Sequence, residues 1–329
     1  MHSTGENMKR RSLLATMLAL SPGLEANFGW AQKPIQTAPA MVVSSGGTTG
    51  TYYRLMKEFD AAAPGLIINR ESDGSQTNID RVMNNEAELG ITQFDALYFR
   101  ALKETNLKDH IRILALLHSE EIHFIAKSSA RREGGIKLFG YDSGVNSHSV
   151  VLNSIADLRG RKVGVWGGSV ITEQIIASIA LTGWNPVEFP DQTPAFEALQ
   201  TDQVDALLAV GGQPLEWVAA LSRDYKLLEV SDAAATRLGP VYDKTTLTYR
   251  NLDQDGVPAL AVRAMLVTRN YTSQAKHDQL QRLHNKLADV VADLRETRGT
   301  HAKWGEIDPT ATTDKWPMYL SGTGVTSRI

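Results

Sequence analysis

Short apolar runs alternate with stretches of helical periodicity along the first third of the chain. Residues 40–45 form an apolar run that predicts a strand, and residues 52–63 carry apolar side chains three and four positions apart, which predicts a helix. The same order of strand, glycine-containing loop and helix recurs over residues 66–83 and again over residues 89–102. Strands that alternate with helices predict a mostly parallel α/β sheet.

The same order starts again in the second half of the chain. Residues 162–166 predict a strand, a glycine pair then opens a helix that runs to Ala180, and residues 205–210 predict a further strand. We therefore expect two α/β units. The segment that joins them, residues 128–153, is polar and glycine-rich, and it predicts a surface loop or hairpin.

Two apolar segments are suited to strands that cross between the units: residues 122–126 and residues 261–267. If the chain leaves the first unit through one segment and returns through the other, the second unit is an insertion and the two strands act as a hinge. The helix predicted for residues 273–298 has apolar residues at core spacing and would pack back on the first unit. The predicted fold class is α/β, with two α/β lobes joined by two crossover hinge strands.

This arrangement predicts where the domains lie. Residues 32–123 and 266–329 form a discontinuous lobe I, and residues 124–265 form lobe II together with the hinge strands.

The N-terminus has the pattern of a cleavable signal peptide, predicted for residues 1–31. The basic residues 9–11 precede an apolar run, residues 13–20, that is too short to span a bilayer, which needs about 20 apolar residues. We therefore expect a periplasmic protein. The pair Arg10-Arg11 also fits a twin-arginine signal, and the choice between twin-arginine export and general secretion stays open.

Composition excludes several classes of protein. The chain has no cysteine, which removes disulfides, thiolate zinc sites and cysteine nucleophiles. Its formal net charge of -3 argues against a nucleic-acid partner. No serine elbow or metalloprotease motif occurs, so we expect no enzyme, no cofactor and no metal. His118 and His123 lie close to two glutamates, and the simplest interpretation is one hinge histidine and one solvated histidine.

Glycine and hydroxyl residues are concentrated where four predicted strands end: residues 45–52, 72–78, 167–172 and 211–214. In an open α/β sheet such loops gather at the carboxyl ends of the strands, where ligands bind. Backbone N–H groups at helix starts bind anions, and hydroxyls add further donors, so we expect a small carboxylate-bearing solute. Helix capping alone is the alternative explanation of each loop.

Two acidic residues, Glu71 and Asp73, lie beside the second of these loops. They would either repel an anionic ligand or bind an amine. An amino acid and a dicarboxylate therefore remain equal alternatives at this point.

Three motifs, in this order, carry a resemblance to a known family: residues 46–53 (GGTTGTYY), 72–78 (SDGSQTN) and 86–95 (EAELGITQFD). Over most of its mature length the chain resembles the substrate-binding proteins of TAXI-type TRAP transporters. The resemblance implies a type II-like periplasmic-binding-protein fold, hinge closure on the ligand, and delivery of the ligand to the permease subunits of a TRAP transporter. It also implies a ligand-binding set with members in both lobes: Thr48, Thr49, Thr51, Tyr52, Ser75, Gln76, Asn78, Gln93, Asp95, Gly168, Ser169, Thr172, Gly212 and Gln213.

Two other functions stay open. A sensory protein that presents its ligand to a membrane receptor kinase would have the same fold and the same binding loops. An exported enzyme would need a positioned pair of titratable groups for acid and base catalysis, and no sequence motif marks such a pair.

Overall fold

The structure, a computed structural model, describes residues 39–320 with the exception of a few positions: Thr49, 135–136, 139–140, 143–146 and Leu181. For residues 131–148 it describes the backbone alone. The predicted signal peptide, residues 1–31, lies outside the described residues. Within the described part, every helix is too short or too polar to cross a membrane.

The first unit has the predicted alternation of strands and helices. Its elements are β1 (Met41–Ser44), α1 (Thr51–Ala62), β2 (Ile67–Arg70), α2 (Ser75–Met83), β3 (Leu89–Gln93), α3 (Phe94–Lys103), α4 (Leu107–His110) and β4 (Ile111–Lys127). Strand β1 pairs in parallel with β2 on one side and with β3 on the other. The apolar face of α1 buries Leu55, Met56 and Phe59, as the helical spacing predicts.

The segment between the units forms antiparallel hairpins. Its strands are β5 (Arg131–Gly134), β6 (Lys137–Leu138), β7 (Tyr141–Asp142) and β8 (Ser147–Val150). Strand β5 pairs with β8, and β6 pairs with β7. The prediction of a surface loop or hairpin for residues 128–153 is confirmed for the backbone.

The second unit repeats the strand and helix order of the first. After a 3-10 helix (Ile155–Leu158), its elements are β9 (Lys162–Val165), α5 (Ser169–Ala180), β10 (Asn185–Glu188), α6 (Gln192–Gln200), β11 (Ala206–Gly211), α7 (Glu216–Ala219), β12 (Tyr225–Leu227), α8 (Asp232–Leu238), β13 (Asp243–Tyr249) and a 3-10 helix (Arg250–Leu252). Strand β9 pairs in parallel with both β10 and β11.

The chain returns to the first unit through three final elements: β14 (Gln254–Arg269), α9 (Gln274–Glu296) and a 3-10 helix (Ala302–Glu306). Helix α9 buries its apolar stripe in the same cluster as β1 and α1. The prediction that this helix packs on the first unit is confirmed.

Two long antiparallel strands hold the two halves together. Strand β4 has 17 residues and β14 has 16, and the sheet order is β10-β9-β11-β4-β14-β3-β1-β2. The C-terminal part of β14 pairs with β3 of the first unit, and the C-terminal part of β4 pairs with β11 of the second unit. Because β4 and β14 are antiparallel, these two pairings lie at opposite ends of the strand pair. The prediction of an α/β fold with two lobes joined by two crossover strands is confirmed by this topology. The lobe boundaries at 123 and 266 fall inside these strands and stay a prediction.

A single apolar cluster extends from one half of the molecule into the other. It contains Leu97 of α3 in the first unit and Ile176 of α5 in the second unit, both completely buried. The two lobes therefore face each other across a packed contact next to the hinge strands.

Phe59 tests the packing of α1 on the final elements of the chain. Its side chain is 1% exposed in the cluster that also contains Trp304 of the last 3-10 helix. We expect Phe59→Ala to lower the free energy of unfolding by about 3 to 5 kcal/mol, because it leaves a cavity in a packed core. Leu102→Ala, at a side chain that is 63% exposed, should change it by less than about 0.5 kcal/mol in the same urea titration. Equal effects of the two substitutions would contradict this packing.

Candidate functional site

The binding loops of the first unit converge on one buried carboxylate in β4. The Tyr52 hydroxyl at the start of α1 donates to Glu120 Oε2 at 2.8 Å, and Gln93 Nε2 at the end of β3 donates to the same oxygen at 2.7 Å. Ser75, at the start of α2, accepts a hydrogen bond from the backbone N–H of Gln93 at 3.0 Å. Three loops that are distant in sequence are thereby held against Glu120.

Glu120 is ionised although it is buried. Its residue exposure is 7%, and burial alone would raise its pKa. The neighbouring His118 imidazole and the donors Gln93 Nε2 and Tyr52 OH outweigh burial, so the pKa of Glu120 lies below its usual value. A buried carboxylate with a lowered pKa is a negative charge fixed at the junction of the two lobes.

The second unit approaches the same loops from the opposite side. A Cβ at Gly168 would lie 3.3 Å from Gln93 Oε1, a tight contact that would press on the Gln93 amide, and glycine avoids it. Gly168 is followed by Ser169, whose hydroxyl accepts from Trp166 N at 3.0 Å and donates to Trp166 O at 2.8 Å. Ser169 therefore shapes the turn that presents Gly168 to Gln93.

Asp95 joins the two lobes through hydrogen bonds. Its carboxylate accepts from Thr172 Oγ1 at 2.5 Å and from the Tyr242 hydroxyl at 3.1 Å, both in the second unit. It also accepts from the backbone N–H of Ala96 at 2.7 Å. Asp95 is completely buried, and burial raises its pKa to about 6 although these three donors lower it.

A second contact between the lobes is built on Glu121. The backbone N–H of Gln213 donates to Glu121 Oε2 at 2.6 Å, and Lys303 Nζ lies 3.3 Å from the same oxygen. Lys303 belongs to the last 3-10 helix and also donates to Glu306 Oε1 at 2.5 Å. A Cβ at Gly212 would overlap the Lys303 side chain, so glycine at this position is what lets Lys303 reach Glu121.

The structure thus brings most of the predicted residues together. Nine of them take part in the contacts around Glu120, Asp95 and Glu121: Tyr52, Ser75, Gln93, Asp95, Gly168, Ser169, Thr172, Gly212 and Gln213. Thr51 lies at the edge of this site, with its Oγ1 at 3.5 Å from His301 Nε2.

The remaining predicted residues lie elsewhere or are already engaged. Asn78 is completely buried, and its amide bonds to Ser44 Oγ and to the carbonyl groups of Ser45 and Ile91, all at 2.6 Å. Gln76 donates to the carbonyl of Ala96, which holds the start of α2 against α3.

Two residues of the first loop are not part of the contacts. Thr48 is exposed in that loop. Thr49 lies outside the described residues.

The site also contains residues that the sequence pattern did not select. They are ionisable or aromatic side chains contributed by β4, the loop after α8 and the last 3-10 helix: His118, Glu120, Glu121, Tyr242 and Lys303. The available signal was a polar run, residues 118–121, within an otherwise apolar stretch. Such a run marks buried polar groups when the strand continues on both sides of it, as β4 does.

The expectation of one solvated histidine is wrong. His118 and His123 are both completely buried, because β4 lies in the centre of the sheet. His123 bonds the carbonyl of Glu121 through Nδ1 and the Tyr249 hydroxyl through Nε2, each at 2.9 Å, and burial lowers its pKa to about 4. In the described part of the chain, no three His, Asp or Glu residues are arranged to hold a metal ion.

No family model matches the sequence. Among solved structures, the chain is similar to the substrate-binding protein of an amino acid ABC transporter, with 8% identity and a TM-score of 0.47 over 77% of this chain and 94% of that chain. It is similar to the GluR0 ligand-binding core in complex with L-glutamate, with 14% identity and a TM-score of 0.47 over 78% and 96%. It is also similar to an ancestral arginine-binding protein bound to glutamine, with 17% identity and a TM-score of 0.44 over 82% and 97%. At these identities and TM-scores, similarity transfers no ligand and no activity to this chain.

Asp95 gives the contact between the lobes a defined pH dependence. Its pKa is about 6 in the folded chain and about 3.9 in an unfolded chain, so the folded form binds the proton more tightly. The stability that this preference contributes is complete below pH ~4 and is lost as the pH rises through 6, by up to about 3 kcal/mol.

We therefore expect wild type to lose up to about 3 kcal/mol relative to Asp95→Asn between pH 4 and 7, measured by urea unfolding. The exposed Asp289→Asn serves as the matched control and should run parallel to wild type. A constant difference between wild type and Asp95→Asn across this range would contradict the raised pKa.

Proposed function

We propose that this protein is an extracytoplasmic solute-binding protein. It closes two lobes on a small solute that carries a carboxylate or an amino group, and it delivers the solute to a TRAP-type membrane transporter. The observation that carries the proposal is the convergence of both lobes on Glu120 and Glu121, which lie in a strand that the lobes share. A site between two lobes becomes accessible when the lobes separate and is enclosed when they close.

The hinge for this movement consists of β4 and β14. Strand β14 pairs with β3 of the first unit and with β13 of the second, and β4 pairs with β14 and with β11 of the second unit. A bend within this pair of strands therefore changes the angle between the lobes. A register irregularity lies in this pair, where Arg263 pairs with Ser119 and Met265 pairs with Leu116. Such a bulge interrupts regular pairing and favours a local bend. It lies next to Glu120, so bending would act directly on the site.

Hydrogen bonds between the lobes favour the closed form. The Asp95 carboxylate accepts from Thr172 and Tyr242, and Glu121 accepts from the N–H of Gln213. Water replaces each of these partners when the cleft opens, and a hydrogen bond to a carboxylate has a net value of about 1.5 to 3 kcal/mol. A solute that touches both lobes then shifts the population towards the closed form by its differential affinity.

Export and the transporter partner rest on the sequence. The basic residues and short apolar run before residue 31 support secretion, and the three ordered motifs support a TAXI-type partner. Delivery to TRAP permease subunits follows from that resemblance. We propose as ligand-binding residues those members of the predicted set that meet between the lobes.

Gly168 provides a test of binding by closure. A solute from a panel of organic acids, amino acids and sugar acids, present at 100 times its dissociation constant, should raise the free energy of unfolding by about 2.7 kcal/mol. Gly168→Val should weaken that binding, because its side chain occupies the space next to Gln93 that closure requires. Titration calorimetry measures the loss, which we expect to be at least about tenfold, equivalent to 1.4 kcal/mol.

The matched control is Gly305→Val, at a glycine where an added Cβ meets no atom within 4 Å. It should bind the solute as wild type does. Failure of every solute in the panel to stabilise a folded protein would contradict the proposed function, and wild-type affinity in Gly168→Val would contradict closure at this contact.

A further inference from the structure

The charges buried between the lobes are predominantly negative. Asp95, Glu120 and Glu121 are all less than 9% exposed, and Lys303 is the buried lysine among them. Lys303 is already engaged by two carboxylates, Glu121 and Glu306. In the described part of the chain, Glu120 has only His118 as an ion-pair partner and Asp95 has none.

Arginine side chains near the site do not supply the missing positive charge. Arg263 in β14 donates through Nη1 to the carbonyl of Leu117 at 3.1 Å. Arg54 in α1 donates to Glu58 and to the carbonyl of Gly299. A carboxylate-bearing ligand without an amine would therefore add a further negative charge beside Asp95, which has no ion-pair partner in the described part of the chain, and beside Glu120, whose one partner is His118.

His118 is the second observation that points to a ligand. Its side chain is completely buried, and neither Nδ1 nor Nε2 has a hydrogen-bond partner in the described part of the chain. Nε2 lies 3.6 Å from Glu120 Oε1, which is beyond hydrogen-bond distance. Buried polar groups are satisfied in the great majority of cases, and each exception requires a specific explanation, such as a bound group.

The atoms around Glu120 fit the donors of a primary ammonium group. Glu120 Oε2 is occupied by Tyr52 and Gln93, whereas Oε1 faces His118. Because Gln93 Nε2 donates to Glu120, its Oε1 is the amide atom directed towards Gly168 and the second lobe. A primary ammonium has three donors and no acceptor, which suits a carboxylate oxygen, an amide oxygen and an imidazole nitrogen that has no other partner.

We propose that the site between the lobes binds the ammonium group of an amine-bearing solute, with Glu120 as its counter-ion and with His118 and Gln93 as further acceptors. This inference rests on the proposed function, and it narrows the solute from carboxylates in general to amines, with amino acids as the class that carries both groups. The ammonium places a positive charge against Glu120, and it gives the buried His118 ring a hydrogen-bond partner.

Pairs of solutes that differ in the amine test this inference on the wild-type protein. Thermal unfolding is measured with the common L-amino acids and their 2-oxo acids, with 4-aminobutyrate and butyrate, and with 1,4-diaminobutane. The best amine is then titrated by calorimetry against wild type, Glu120→Gln and the matched control Glu197→Gln, which alters an exposed carboxylate in α6. We expect the amine of a pair to bind at least about 30-fold more tightly than its partner, and Glu120→Gln to weaken it by a similar factor.

Each result separates this inference from the proposed function. Equal affinity within the pairs, or wild-type affinity in a folded Glu120→Gln, overturns amine recognition while leaving a solute-binding protein. Binding of acids alone has the same consequence. If Glu120→Gln loses its unfolding transition, the wild-type pairs decide the question. If no amine and no acid binds, the solute-binding function itself is contradicted.

Discussion

The burial of an ionised carboxylate in a strand that both lobes share is the constraint on which this structure depends. A charge in the protein interior is costly unless polar groups surround it, and Glu120 meets that requirement with the Tyr52 hydroxyl and the Gln93 amide. Each of these donors begins a helix or ends a strand in a different loop. The position of Glu120 in β4 therefore fixes the relative positions of α1 and β3, and Ser75 adds the start of α2 by holding the backbone of Gln93.

The second lobe meets the same strand through a different carboxylate. Glu121 lies next to Glu120 in β4, pairs with Gly211 of β11, and accepts the N–H of Gln213 in the loop that follows β11. Lys303 approaches Glu121 from the far end of the chain, past Gly212. Glu120 therefore positions the loops of the first lobe. Glu121 connects the hinge strand β4 to the second lobe and to the C-terminal 3-10 helix.

The order of strands and helices could be predicted from the sequence because each element buries one face of its own. The apolar character of residues 122–126 and 261–267 predicts two crossover strands, but β4 and β14 extend well beyond these segments. Polar residues such as His118 and Glu120 interrupt the apolar pattern there, so the pattern ends where the site begins. The glycine and hydroxyl residues of the loops can be identified from the sequence. The role of Asn78 cannot, because its buried amide holds Ser44, Ser45 and Ile91 together through tertiary contacts that residue spacing does not reveal.

Lys303 and Tyr242 could not be found by motif for a related reason. Each reaches the site from an element that is remote in sequence from the residues it contacts, Glu121 and Asp95. A local pattern describes what one element buries, but it does not describe which distant element supplies a charge or a hydroxyl to it.

The path of the chain through the sheet has a consequence for the order in which the molecule forms during synthesis. Strand β14 lies between β3 and β4, so the sheet of the first lobe lacks a central strand until residues 254–269 have been made. The contacts that complete this lobe are strongly non-local, and such pairings form slowly. Neither lobe is therefore complete before β14 has been made, because β13 of the inserted lobe pairs with the same strand, and a chain shorter than β14 presents an incomplete sheet with an open edge at β3.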